Sequence, residues 1–315
     1  MVLGVDIGGT KCAVILARNE KEIVARREQA TRAEDGPEKI VTQLIGLAKE
    51  ILGAARLKPD AIEGIGISCG GPLDTKTGLV YSPPNLPGWD AVPVRAIFEN
   101  AFPNVRIVLE NDANATALAE WRFGAGRGAQ NMVYVTMGTG IGAGIILDSR
   151  LYRGANDLAG EVGHQTILIN GPKCGCGKRG CLEALASGPA IARLAQESLQ
   201  YGRGKGLIES AGGKVNDITA RHVIEAAKAS DAFSVRILEE AGTYMGIGLA
   251  NLIQILNPEA IVLGTIAIHA GDLILEPVRK AVSEYAWERA ASACRIVPAE
   301  LGDRAQDMAA ISLVV

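Results

Sequence analysis

The chain opens on two apolar runs separated by a glycine turn. Residues 2–5 are Val-Leu-Gly-Val, residues 12–17 are Cys-Ala-Val-Ile-Leu-Ala, and Gly8-Gly9-Thr10 lies between them. Short apolar runs bounded by turn residues read as buried strands, so this segment predicts a hairpin. Residues 22–27 add a third candidate strand. Over residues 37–56 the apolar positions are Ile40, Val41, Leu44, Ile45, Ala48, Ile51 and Leu52, a helical spacing opened by Pro37. Buried strands are predicted at 62–68 and 105–109, and a helix at 112–123 behind Asn111. The second half is richer in helix. Segments 188–200, 220–229, 231–256 and 276–289 carry helical spacing, 260–264 reads as a short buried strand, and the glycine-rich 202–217 as a surface loop.

The pattern repeats itself once. Val133-Tyr134-Val135-Thr136-Met137-Gly138-Thr139-Gly140 echoes the first strand and its turn. At an offset of 130 residues Thr136 falls on Asp6, Gly138 on Gly8 and Gly140 on Thr10, while Ile145-Ile146-Leu147 falls on the second strand. The echo lies about one domain length away, as a duplicated unit would. Strands precede helices in both halves, so the expected architecture is α/β with two lobes and a cleft.

Composition narrows the class. The 315 residues are 48% hydrophobic, which excludes a disordered chain, and the length suits about two domains. Lys and Arg number 32 against 35 Asp and Glu, so no whole-chain basic footprint for nucleic acid exists. No apolar run nears the ~18–20 residues of a membrane helix, and the first residues lack the basic start of a secretory signal. A cytoplasmic enzyme with no nucleic-acid or membrane partner is the expectation.

Candidate chemistry falls in four places. Asp6-Ile7-Gly8-Gly9-Thr10-Lys11 puts an acid at a strand end, then glycines whose N–H groups can approach phosphate oxygens. The acid can hold Mg²⁺ directly or through water. The turn joins two strands, so it is not a P-loop. Alone it could be a plain hairpin turn, but Gly138-Thr139-Gly140 supplies a second turn to face it. His164, Cys174, Cys176 and Cys181 follow H-x9-C-x-C-x4-C, three thiolates and an imidazole that close a tetrahedral structural zinc shell. Cys12, Cys69 and Cys294 read as buried thiols. In Glu110-Asn111-Asp112-Ala113-Asn114, Asp112 is either a helix N-cap or a general base at a strand end. Glu161 and Glu183 flank the cysteine loop, as surface acids or as acceptors for hydroxyls. Two further matches read as accidents. Gly175-x-Gly177-x-x-Gly180 has no strand before it, and Gly66-x-Ser68-x-Gly70 has turn chemistry where a nucleophile elbow needs a helix.

Taken in order, these motifs resemble the ROK family (repressor, ORF, kinase) of sugar kinases over essentially the whole chain. The resemblance implies the two-lobed actin-like, ribonuclease-H-like ATPase fold. Its lobes would be residues 1–112 and 113–304, with 305–315 packing back on the first. It implies phosphorylation of a hexose 6-hydroxyl by ATP with Mg²⁺, glucose first. N-acetylmannosamine or N-acetylglucosamine is the alternative, and a non-catalytic zinc-stabilised sugar-binding protein is the reading from another class. By position, Asp112 would be the base, with Gly71, Asn85, Asn111, Asp112, Glu161, His164 and Glu183 around the sugar. Asp6 would order Mg²⁺. Gly8, Gly9, Thr10, Lys11, Gly138, Thr139, Gly140 and Gly264 would hold the nucleotide. A homodimer or higher homo-oligomer is implied.

Two departures stand out. Family members usually carry two glycines after the strand at 261–263, whereas Thr265 follows Gly264 here. Ala305-Gln306-Asp307 stands where a glycine pair usually opens the last helix. Repressor members carry an extra N-terminal DNA-binding domain. With the first motif starting at Asp6, a DNA-binding repressor is not expected.

Overall fold

The computed structural model describes residues 1–19, 22–83, 85–199 and 205–315. In the first half, β1 (Val2–Ile7) and β2 (Lys11–Ala17) pair antiparallel, and β3 (Ile23–Ala30) pairs antiparallel with β2. β4 (Gly64–Cys69) joins β1 in parallel, β5 (Leu73–Asp74) and β6 (Leu79–Val80) form a small hairpin of their own, and β7 (Ile107–Asn111) joins β4 in parallel. The sheet order is β3-β2-β1-β4-β7.

The second half builds the same sheet again. Its strands are β8 (Met132–Met137), β9 (Ile141–Leu147), β10 (Arg150–Tyr152), β11 (Ala260–Leu263) and β12 (Arg295–Pro298), in the order β10-β9-β8-β11-β12. Again the first three are antiparallel neighbours and the last two add in parallel. β8 and β9 begin and end 130 residues after β1 and β2. The short echo in the glycine turns therefore marks duplication of a whole sheet topology, that of the actin-like, ribonuclease-H-like fold.

Parallel strands of one sheet need a long crossover between them, which helices supply. Gly36–Ala54 crosses between β3 and β4 and buries Ile40, Val41, Leu44, Ala48, Ile51 and Leu52, the stripe seen in the sequence. These pack with Leu3, Val5, Ile65, Ile67, Trp89 and Phe98. Full burial of each large aliphatic contributes about 1.5–3 kcal/mol. In the second half, helix Asp272–Tyr285 crosses from β11 to β12 and lies along helix Ala232–Leu256.

The two sheets meet through helices Asp112–Phe123 and Ala305–Ser312. A shared cluster takes Val2 and Ile15 from the first sheet, Met132, Tyr134 and Val262 from the second, and Ala115, Met308 and Ile311 from the helices. The last helix lies so close to β4 that a Cβ on Gly66 would sit 2.0 Å from the Ala310 carbonyl oxygen. Ser68 is buried in the same strand, so the Gly66-x-Ser68-x-Gly70 pattern serves packing.

Three sequence expectations need correction. Residues 205–210 form a helix rather than loop, because Leu207 is drawn into the core of the second lobe. Residues 202–204 of that expected loop, and the end of the 188–200 helix, lie outside the described residues. The helix expected at 276–289 runs Asp272–Tyr285, with Pro277 inside it instead of near its start, and Glu288–Ala291 is a separate short turn of helix. The third strand reaches Ala30, with a largely exposed charged surface that carries little hydrophobic signal. No helix of the described residues is long and apolar enough to cross a membrane.

Candidate active site

A cleft of about 760 Å³ opens between the sheets, at the carboxyl ends of the parallel strands, where open α/β sheets leave room for ligands. Gly8 and Gly9 reach it from β1, Gly70 and Gly71 from β4, Asn111 and Asp112 from β7, and Gly138, Thr139 and Gly140 from β8. Asn85, Glu161, His164 and Glu183 complete the expected set on its wall. Asp6, Thr10, Lys11 and Gly264 are not among the lining residues. Asp6 is buried beneath the first turn, Thr10 and Lys11 are exposed at its far side, and Gly264 lies under the Tyr134 ring.

The structure divides the labour at the head of helix Asp112–Phe123. Asn111 is the N-cap, its Oδ1 accepting from the N–H groups of Ala113 (2.9 Å) and Asn114 (3.3 Å). Asp112 is therefore the first helical residue, and its side chain opens on the cleft. One oxygen accepts from Ala113 N–H at 2.8 Å. Though open to cleft water, the carboxyl has protein on most sides. That poor solvation, with the Glu161 charge adding, pushes its pKa up.

The glycine turns allow close approach. A Cβ on Gly9 would lie 2.5 Å from Asn85 Cβ, so only glycine lets the Asn85 loop close over this turn. Among the described residues lining the cleft, none is lysine or arginine. The wall instead carries Asp112, Asp157, Glu161 and Glu183, with Asp6 behind it. A polyphosphate entering such a cleft needs a divalent cation and backbone N–H groups to offset its charge. Burial first, then the charges of Asp112 and Asp307, push Asp6 up to about 7.

His164, Cys174, Cys176 and Cys181 converge, their ligand atoms all within 4.8 Å of one another. Cys174 Sγ lies 3.7 Å from His164 Nδ1, and Cys176 Sγ lies 3.7 Å from Cys181 Sγ. A tetrahedral zinc shell with ~2.0–2.3 Å bonds spaces its ligands about 3.3–3.8 Å apart, so the donor set fits zinc and could hold it. The other ring nitrogen, Nε2, stands 3.7 Å from Glu161 Oε2 at the cleft wall. Glu183 ties this loop to the second glycine turn, since its Oε2 accepts from Ile141 N–H at 2.9 Å while its Oε1 faces Cys174 Sγ at 3.6 Å.

A family model described as ROK family matches residues 2–315. The chain belongs to the ROK family. It is 38% identical over 305 residues to a glucokinase of Halalkalibacterium halodurans, covering 96% of this chain and 91% of that protein. It is 33% identical over 314 residues to a xylose repressor of Caldicellulosiruptor bescii, covering 100% of this chain and 78% of the repressor. Among solved structures it superposes on a ROK family glucokinase from Streptomyces griseus in complex with glucose and AMPPNP, with a TM-score of 0.81. The identity there is 32%, and the match covers 99% of this chain and 98% of that one.

Against the ROK pattern, both departures now have a place. Thr265 lines the cleft with φ +49° and ψ −96°, a backbone region that a β-branched residue rarely adopts. Asp307, in the first turn of helix Ala305–Ser312, is buried and ion-paired at 2.9 Å with Arg26 Nε of β3. Its carboxylate is one of the charges raising Asp6.

Sequence reasoning missed two ties between the first and second halves of this ROK chain. Asp157 Oδ2 accepts from Thr75 N–H (2.8 Å) and Thr75 Oγ1 (3.0 Å), joining the turn after β5 to the loop after β10. Glu110, buried at the end of β7, takes Arg153 of that same loop in an ion pair of 2.7 Å. It also accepts from Asn111 N–H and Asn114 Nδ2. No local pattern marks Thr75, Asp157 or Arg153, because their partners are set by topology alone.

Proposed function

We propose that this ATP-dependent sugar kinase transfers the γ-phosphoryl group of ATP to the 6-hydroxyl of a hexose, with glucose the first substrate to test. The observation that carries the reading is Asp112, a carboxyl with a raised pKa facing a cleft between two glycine turns. A base must reach the acceptor hydroxyl and hold its proton near working pH, and a raised carboxyl does this better than an ordinary one. Asn85, Asn111, Glu161, His164 and Glu183 offer the polar wall a sugar ring needs. The turns at Gly8-Gly9 and Gly138-Thr139-Gly140 would hold the phosphates, with Asp6 ordering Mg²⁺. Phosphoryl transfer depends on in-line positioning and charge neutralisation, and in a cleft short of cationic side chains the neutralisation would fall to Mg²⁺ and the backbone N–H groups of the turns. Zinc held by His164, Cys174, Cys176 and Cys181 would be structural, fixing the His164 ring and, through Cys174, the position of Glu183.

The lobes we propose are residues 1–112 with 305–315 packed back on them, and residues 113–304. Their closure would exclude water as a competing nucleophile. A cytoplasmic placement accompanies this reading. N-acetylmannosamine and N-acetylglucosamine remain second, since the same polar wall serves them. The xylose repressor match and Thr265 favour one other reading, a sugar-binding protein without turnover. A coupled assay of ATP–Mg²⁺ with glucose, mannose, xylose and the two N-acetylhexosamines separates them. ADP release with glucose well above the others supports the proposal, whereas sugar binding with no ADP release from any of them supports the binder.

A further inference from the structure

A glycine turn that offers N–H groups to a ligand must keep its carbonyls turned away from it. In the first turn that restraint comes from outside the hairpin. Thr31 follows the edge strand β3 and does not line the cleft, yet its Oγ1 donates to the Gly8 carbonyl at 2.6 Å. Its own N–H donates to the Thr10 carbonyl at 2.9 Å. One residue thus holds two carbonyls of the turn, one on either side of Gly9. Cys12 Sγ sits 3.1 Å from the same hydroxyl and 3.7 Å from the Gly8 oxygen, a softer contact behind it.

The second turn solves the same problem with a different donor. The Gly138 carbonyl, which is the Gly8 position moved by 130 residues, accepts from Gly188 N–H at 2.8 Å. Gly188 heads helix Gly188–Leu199. The matching carbonyl is pinned in both halves, by a hydroxyl in one and a helix N-terminus in the other. Packing of the hairpin alone does not require this, since Gly8 and Gly138 also close their own turns through N–H bonds to Lys11 and Gly140 carbonyls.

We propose that Thr31 is a positioning residue for the nucleotide, holding the first turn in the conformation that receives phosphate oxygens. The inference rests on the phosphate role of the turns given above. Thr31→Val keeps the shape and the N–H bond and removes only the hydroxyl. One hydrogen bond of ordinary strength corresponds to about a three- to tenfold effect. KM for ATP–Mg²⁺ in Thr31→Val should therefore rise by about that factor, with KM for the sugar within twofold and the melting temperature lowered by at most a few degrees. Thr31→Ser, which restores the hydroxyl, should recover the ATP KM.

Calorimetry with AMPPNP and Mg²⁺ reads the same effect without turnover. Equal nucleotide affinity in wild type and Thr31→Val overturns the role of Thr31 while leaving the kinase reading intact. A serine variant as poor as valine, or equal losses for sugar and nucleotide, overturns it too. Wild-type protein that phosphorylates no sugar and binds no AMPPNP removes the phosphate reading and this inference together.

Discussion

Asp112→Asn tests the base directly, because the structure lets the amide keep everything except the proton-accepting charge. The volume is the same, the amide oxygen can still accept from Ala113 N–H, and the helix cap belongs to Asn111. Loss of a general base lowers turnover by about 10²–10⁴-fold, which is roughly 2.7–5.5 kcal/mol on the barrier. Sugar affinity should change by no more than a few-fold. Stability moves the other way. A carboxyl whose folded pKa is raised stabilises the fold below its unfolded pKa, near ~4, and loses that contribution as pH climbs through the folded value. Above its folded pKa the ionised Asp112 is therefore a small burden, reduced by contact with cleft water, and asparagine removes it. The melting temperature of Asp112→Asn should equal or exceed that of wild type at pH 7.5, with the difference gone below about pH 4. The wild-type kcat/KM should climb with pH through the Asp112 titration, and the variant should lack that limb. The assays are coupled ADP release, sugar calorimetry and thermal melts across pH. Residual activity above about a tenth of wild type, or a lower melting temperature, would refute the reasoning.

Three further outcomes are expected. Purified protein should carry about one zinc per chain. Cys176→Ala should lose the metal, melt earlier and raise the sugar KM through His164 and Glu183, whereas wild-type sugar affinity in that variant would detach the loop from the sugar site. Thr265→Gly should release about 1–3 kcal/mol of backbone strain against about 0.5–1 kcal/mol of glycine entropy. Its melting temperature should then rise by a few degrees and its KM for ATP fall, and a destabilised variant would show that the φ of +49° carries no strain. Arg153→Met should cost about 2–3 kcal/mol in chemical denaturation by leaving Glu110 buried beside only its N–H donors. The double variant with Glu110→Gln should recover most of that loss, and equal destabilisation of single and double variants would count against the ion pair.

Much of the site was legible because its signals are local. Asp6 to Lys11, Gly138 to Gly140 and the Cys-x-Cys loop each carry their chemistry within a few residues, and strand-plus-turn patterning needs no partner to be read. Asp112 was legible as a carboxyl at a strand end, but whether it or Asn111 capped the helix was not. That distinction depended on which of two adjacent side chains took the helix N–H groups, and Asn111 took them. The helix at Lys205–Ser210 was illegible for a related reason. The glycines in and around it argue for loop, and burial of Leu207 against distant helices overrode them.

The amino-acid sequence by itself determined the two hairpins, their 130-residue repeat, the four zinc-competent ligands and the carboxyl at the strand end before the helix at 112–123. Each follows from periodicity or spacing along a continuous stretch of chain. Only the tertiary structure decided which groups restrain that site from a distance. Thr31 reaches Gly8 across 23 residues, Arg153 reaches Glu110 across 43, Thr75 reaches Asp157 across 82, and Arg26 reaches Asp307 across 281. Such pairs leave no periodic trace. Their partners become neighbours only after two sheets of the same topology have closed around a shared pair of helices.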